Sequence, residues 1–152
     1  MAVKPVPDEK QALSPYLVVR GAAQAIAFYV EAFGAKELYR LSEPSGKIGH
    51  AELVIGGSRF MLADEYPDFG ALGPLTVGGT PVSLHLYVED VDRTVERATK
   101  AGATLLRPVK DEFFGDRTGM VADPFGHKWH LATHKEDVSP EEMQRRMNAA
   151  FA

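Results

Sequence analysis

The feature that most restricts what this chain can fold into is that it is written twice. With Val19 set on Val88, Gly57 falls on Gly126 and Phe60-Met61-Leu62 falls on Trp129-His130-Leu131, all at a separation of 69 residues. Gly34-Ala35 matches Gly102-Ala103 at 68, a slip of one residue inside the helix or its cap. Matches in the same order over most of a chain mark a duplicated unit, and each copy must then obey the same local rules.

Those rules read as βαβββ. In the first copy the apolar, β-branched run 15–20 suits a strand. Ala22, Ile26, Tyr29, Val30 and Phe33 then recur at helical spacing, and Gly34 supplies the stop. In the second copy residues 83–88 are strand-like, Asp90 can cap a helix, and Val91, Val95 and Ala98 form its stripe before Gly102. Short strands follow at 37–41, 50–55 and 59–64 in one copy and at 104–109, 119–122 and 128–133 in the other. Gly56-Gly57 and Asp123-Pro124-Phe125-Gly126 stand where hairpin turns are needed. The expected architecture is therefore α+β: a tail (1–13), a first module (14–65), a Gly- and Pro-rich linker (66–81), a second module (82–134) and a C-terminal helical segment (135–152). In that last segment Ser139-Pro140-Glu141-Glu142 combines a cap, Pro at the first helical position and Glu three residues after the cap. Met143, Met147 and Ala150 give the segment a modest apolar stripe, suited to packing on the chain or on a partner subunit.

Composition narrows the function. Of 152 residues, 45% are hydrophobic, enough for a real core. The net charge of -4 comes from 17 basic and 21 acidic residues mixed along the chain, so no dense basic patch is offered to nucleic acid. There is no cysteine, which excludes disulfides, thiolate metal sites and a cysteine nucleophile. The polar, proline-punctuated opening lacks the apolar core of a signal peptide, and no run reaches membrane-spanning length. A cytoplasmic location and no membrane partner are the expectations.

Four stretches, in this order, resemble the PhnB-like branch of the vicinal oxygen chelate superfamily (glyoxalase, bleomycin resistance, extradiol dioxygenase): PYLVVRGAAQAIAFYVEAFGAKELYR, HAELVIGGSRFMLAD, PVSLHLYVEDVDRTVERATKAGATLLRPV and GDRTGMVADPFGHKWHLATHKEDVSPEEM. The resemblance covers Ser14 to about Arg146. It implies two βαβββ modules, each curling its sheet around half of a cup, commonly in a homodimer. It also implies that function sits in that cup, whether as isomerase, dioxygenase, transferase or metal-free binding protein. Metal-dependent members carry a His or Glu ligand on the first and last strand of each module, and matching the pattern puts Ser14, Met61, Ser83 and His130 there. Two hydroxyls, a thioether and one imidazole are a poor set for Zn, Fe or Mn, so no metal and no cofactor are expected.

Strand alternation adds His85 to the face of Ser83, and Arg59 to that of Met61. His85 and His130, paired across the pseudo-twofold, are the candidates for binding a ligand carboxylate, acting as a general base or holding a displaced metal. Tyr16, Phe60, Tyr87, Trp129 and Phe113-Phe114 are numerous enough to line an apolar pocket, although most of them are expected to be core. His50 and Glu52 share one face of a strand and are expected at the surface. His127 and His134 are also expected to be solvated, and Asp116-Arg117 to be a structural pair. The ligand-binding cavity is thus expected to draw on Ser14, Tyr16, Arg59, Met61, Ser83, His85 and His130. The function expected first is metal-free capture of a small organic molecule, in a resistance-type role. The rival is an enzyme of the same superfamily, with rearranged histidine ligands or a histidine base.

Overall fold

The computed structural model of the chain describes residues 2–8 and 10–152. The element order is β1 (Tyr16–Val19), α1 (Ala22–Phe33), β2 (Lys36–Ser42), β3 (Ile48–Ile55), β4 (Ser58–Asp64), α2 (Pro74–Val77), β5 (Ser83–Tyr87), α3 (Val91–Lys100), β6 (Thr104–Asp111), β7 (Asp116–Ala122), β8 (Lys128–His134) and α4 (Pro140–Ala150). The βαβββ pattern is present twice, as two four-stranded mixed sheets ordered β1-β4-β3-β2 and β5-β8-β7-β6. Two compact units result. One runs to Thr80 and takes in Pro124–Gly126; the other comprises Pro81–Asp123 and His127–Ala152.

In the first unit α1 buries Ala22, Ala25, Ile26, Phe28, Tyr29, Ala32 and Phe33, a broad apolar stripe. The stripe covers Leu17 and Val19 of β1, Ala51, Leu53 and Ile55 of β3, and Phe60 and Leu62 of β4. Val30, expected on that stripe, lies outside it and is exposed, because the buried positions run through Phe28 and Ala32 instead. Gly21 offers no capping side chain, so the carboxylate of Asp64, at the end of β4, accepts from Gly21 N (3.1 Å) and Ala22 N (2.7 Å). Its other oxygen accepts from Ile48 N. One residue thereby ties the helix start to the last strand.

The second unit repeats the device. Thr133 on β8, 69 residues beyond Asp64, accepts from Val91 N at 2.9 Å. Asp90 caps α3 by accepting from Arg93 N, and Val91, Val95 and Ala98 are its buried stripe, as the sequence predicts. Ser139 caps α4 through Glu142 N. No residue of α4 is buried, so Met143, Met147 and Ala150 do not pack into this chain's core. Arg146 pins the helix by donating to Phe113 O and Glu136. The linker is less irregular than expected, since it holds a 3-10 turn (Pro67–Phe69) and α2. Among the described residues no helix is long and apolar enough to cross a membrane.

The turn Pro124–Gly126 shows how tightly the first unit is filled. Phe125 meets the rings of Phe28 and Tyr29 at 6.4 Å, tilted or edge-on. Gly126 sits at φ +92, and a Cβ on it would lie 2.7 Å from Pro74 Cβ. Gly126→Ala is therefore expected to cost about 2 kcal/mol through backbone strain and overpacking. A urea midpoint equal to that of wild type would show that the turn relaxes freely.

Candidate functional site

With the helix packed on one face of each sheet, the other face is free to carry function. The strand registers place one row of four side chains across each such face. In the first unit the row is Tyr39 (β2), Glu52 (β3), Met61 (β4) and Tyr16 (β1). In the second it is Arg107 (β6), Met120 (β7), His130 (β8) and His85 (β5). The residues level with Met61 and His130 are thus Tyr16 and His85. Ser14 lies just ahead of β1, and Ser83 opens β5 opposite Lys128, two residues short of the row.

The first row centres on a buried acid. Glu52 was expected at the surface, but it is 1% exposed. It lies on the free face of a central strand, where Tyr39, His50, Lys10 and Arg59 cover it. Its Oε2 accepts from the Tyr39 hydroxyl, from Lys10 Nζ at 3.0 Å and from His50 Nε2 at 3.1 Å. Arg59 Nη1 stands 3.6 Å from Oε1. Tyr39, then opposing burial, then His50 and Lys10 leave the net pKa of Glu52 lowered to about 2. An ionised carboxylate only accepts, so His50 carries its proton on Nε2. Its Nδ1 then accepts from the Tyr16 hydroxyl at 2.8 Å. Burial and the Glu52 charge raise the Tyr16 phenol, which stays protonated.

The second row is cationic and aromatic. His85 and His130 were expected to face each other across the pseudo-twofold; they are neighbours on adjacent parallel strands of one sheet, their rings stacked at 6.4 Å. Burial, His85 and Arg107 lower the His130 pKa, so this imidazole is neutral at neutral pH. A pocket of 370 Å³ opens here, lined in part by Arg107, Lys110, Glu112, Thr118, Met120 and His130. Glu112 accepts from the Thr118 hydroxyl. The side chains of Arg107 and Lys110 make no hydrogen bond or ion pair among the described residues, whereas Arg59 and Arg117 are ion-paired.

The remaining candidates are placed as follows. Met61 and Arg59 are half-buried on β4, and Tyr16 is 49% exposed on β1. Phe60 and Trp129 are core, the latter donating to Asp123 at 3.0 Å. Tyr87 donates to the buried Asp116 (2.7 Å), which is also bonded by His134 (2.7 Å). Burial opposes ionisation of Asp116, but those two bonds together with the charges of His134 and His85 outweigh it and its pKa is lowered. His134 is exposed as expected, and its ring is also held between Asp116 and Asp137, which raise its pKa. Tyr87 and His134 border a wider, more open groove of 730 Å³ that has no unpaired cation in its lining among the described residues. Arg117 bridges Asp92 and Asp111, not Asp116 with which it was expected to pair; Asp116 is taken by Tyr87 and His134 instead. His127 donates its backbone N–H to Asp123 in the turn.

As a metal centre the two rows fit poorly. The first offers two phenols, a thioether and one carboxylate already bonded by Tyr39, Lys10 and His50; the second offers a guanidinium, a thioether and two imidazoles. Among the described residues no three His, Asp or Glu side chains are grouped to hold an ion.

The model of the Glyoxalase/Bleomycin resistance protein/Dioxygenase superfamily matches residues 12–131, and the chain belongs to this superfamily. The chain is similar to a protein of Mycobacterium bovis, 48% identical over 141 residues that cover 91% of this chain and 93% of that one. In structure it is similar to a gene product of Arabidopsis thaliana, with a TM-score of 0.65 at 29% identity over 80% of this chain and 98% of that one. A PhnB protein from Bacillus cereus matches with a TM-score of 0.63 over 81% and 99% of the two chains. At 19% identity this is a likeness of fold.

The depressed pKa of Glu52 has a consequence for acid stability. Its folded value, about 2, lies below the ordinary 4.5, so its contribution is complete above pH 4.5 and is lost as pH falls toward 2. Glu52→Gln is expected to be less stable than wild type at neutral pH by about 3 kcal/mol. The gap should close between pH 4.5 and 2 in denaturant titrations. A gap independent of pH would show that Glu52 is not ionised in the folded protein.

Proposed function

We propose that this protein captures, without a metal, a small organic molecule that carries an anionic group. The observation that carries this reading is the pocket of the second sheet. The side chains of Arg107 and Lys110 stand there without hydrogen bond or ion pair among the described residues, beside a neutral His130 and next to the apolar wall of Met120. An unpaired guanidinium at a concave surface is suited to carboxylate or phosphate recognition, and half-apolar walls supply burial. In this reading Ser83, His85 and His130 line the ligand surface of the second sheet, and Ser14, Tyr16, Arg59 and Met61 that of the first. The protein is then a cytoplasmic homodimer with a capture or resistance-type role.

A second reading is favoured by one observation: His130 is held neutral and so keeps a lone pair for proton abstraction. Deuterium entering a captured ligand in heavy water, and absent in His130→Gln, would mark an enzyme. Release of the ligand unchanged would mark a binding protein.

Benzoate is a suitable first probe. It is expected to bind after exhaustive dialysis against a chelator, to raise the His130 pKa in an NMR titration, and to bind at least about ten-fold more weakly to Arg107→Ala. Binding that requires stoichiometric metal, or that ignores Arg107→Ala, would overturn the proposal.

A further inference from the structure

The two oxygens of Glu52 are treated unequally. Oε2 takes the Tyr39 hydroxyl, Lys10 Nζ and His50 Nε2. Oε1, equally enclosed, accepts no hydrogen bond among the described residues; the Arg59 guanidinium is ion-paired with it at 3.6 Å but stops short of one. A buried carboxylate oxygen without a donor is costly, and it marks a place where a donor group belongs. Three rings gather at this acid. Tyr16 and Tyr39 lie 5.5 and 5.7 Å from the His50 ring, tilted at 44° and 43°.

Lys10 is not part of the sheet. It comes from the segment before β1, 42 residues from Glu52, and its side chain is 36% exposed. The next residue clips the segment to β4: Gln11 Nε2 donates to Arg59 O at 2.9 Å, and Gln11 Oε1 accepts from Arg59 N at 3.2 Å. The ammonium of Lys10 makes its one bond to Oε2 and leaves Oε1 unsatisfied.

We propose that Glu52, with Tyr16, Tyr39 and His50, is a recognition site for a primary ammonium group of a ligand, and that Lys10 is its displaceable internal occupant. An ammonium has three donors, so one seated between the two oxygens would satisfy both, which Lys10 does not. The aromatic faces suit a cation, and the released Lys10 returns to water from a position already partly solvated. The proposal rests on reading the helix-free sheet faces as ligand surfaces. It concerns a cation at the first sheet, whereas the preceding proposal concerns an anion at the second.

The test is calorimetric titration of the full chain with n-butylammonium at fixed ionic strength, with n-butanol as the neutral counterpart. Lys10→Ala is expected to bind the ammonium about ten-fold or more tighter than wild type, because the internal competitor is gone. Glu52→Gln is expected to abolish binding, and n-butanol not to bind. Should Glu52→Gln fail to fold, the side-chain nitrogen signal of Lys10 in wild type gives the answer instead. It is expected to move to the position of a solvated lysine as butylammonium saturates. Equal affinities for wild type and Lys10→Ala, equal binding of butanol, or an unmoved Lys10 signal would each overturn the proposal and show that Lys10 only neutralises Glu52. Benzoate binding is expected to be unchanged in Lys10→Ala, so the two proposals fail separately.

Discussion

Each unit depends on the parallel pairing of its first strand with its last. That pairing lays Tyr16 beside Met61 and His85 beside His130, and it requires the chain to return over a helix and two intervening strands. A slip of one residue would exchange the two faces and turn Leu17 and Val19 away from α1. The helix enforces the register through its own start. Asp64 and Thr133 stand at the far ends of β4 and β8, and each accepts the first backbone donors of the helix that follows the opening strand. The two corresponding residues therefore fix strand, crossover and return together.

Given that register, the rows on the free faces follow, and they differ in polarity although the backbone plan is the same. Tyr16 and Met61 correspond to His85 and His130 at 69 residues; Tyr39 and Glu52 correspond to Arg107 and Met120 at 68. In one unit the acid sits on the third strand of its module. In the other the same strand carries a thioether, and the basic groups occupy its neighbours. Likeness in backbone to other superfamily members thus leaves the chemistry of the rows open, since it is side chains at a few fixed positions that define a site.

The fold was readable in the sequence because duplication checks each assignment twice. The stripe of α3, its Asp90 cap, the Ser139 cap and all eight strands follow from period and turn residues that any backbone must respect. The site was legible only in part. His85, His130, Tyr16 and Met61 lie on regular strands, where alternation tells the face. Tyr39 and Arg107 escaped notice because β2 and β6 are edge strands whose registers shift, between Glu37 and Tyr39 in one and on both sides of Arg107 in the other. A bulge breaks the period of two, so position along the strand no longer gives the face. Lys10 could not be found at all by period, since it reaches Glu52 from outside any regular element.

The same duplication shows why the charge at Glu52 is not a requirement of the fold. Taking a carboxylate out of water costs several kcal/mol, and even a well-paired buried ion is often no more stable than an apolar residue of similar size. Met120 occupies the equivalent place in the second unit, is itself buried, and lets its sheet form without any acid there. A stable βαβββ unit therefore does not need Glu52, nor the tyrosines, histidine and lysine that hold it ionised. What the cluster adds is a fixed negative charge in a low-dielectric setting, already oriented, with one oxygen that is ion-paired with Arg59 but accepts no hydrogen bond. Such a group gains little by binding its own chain more tightly. It gains most from a donor that can reach both oxygens at once.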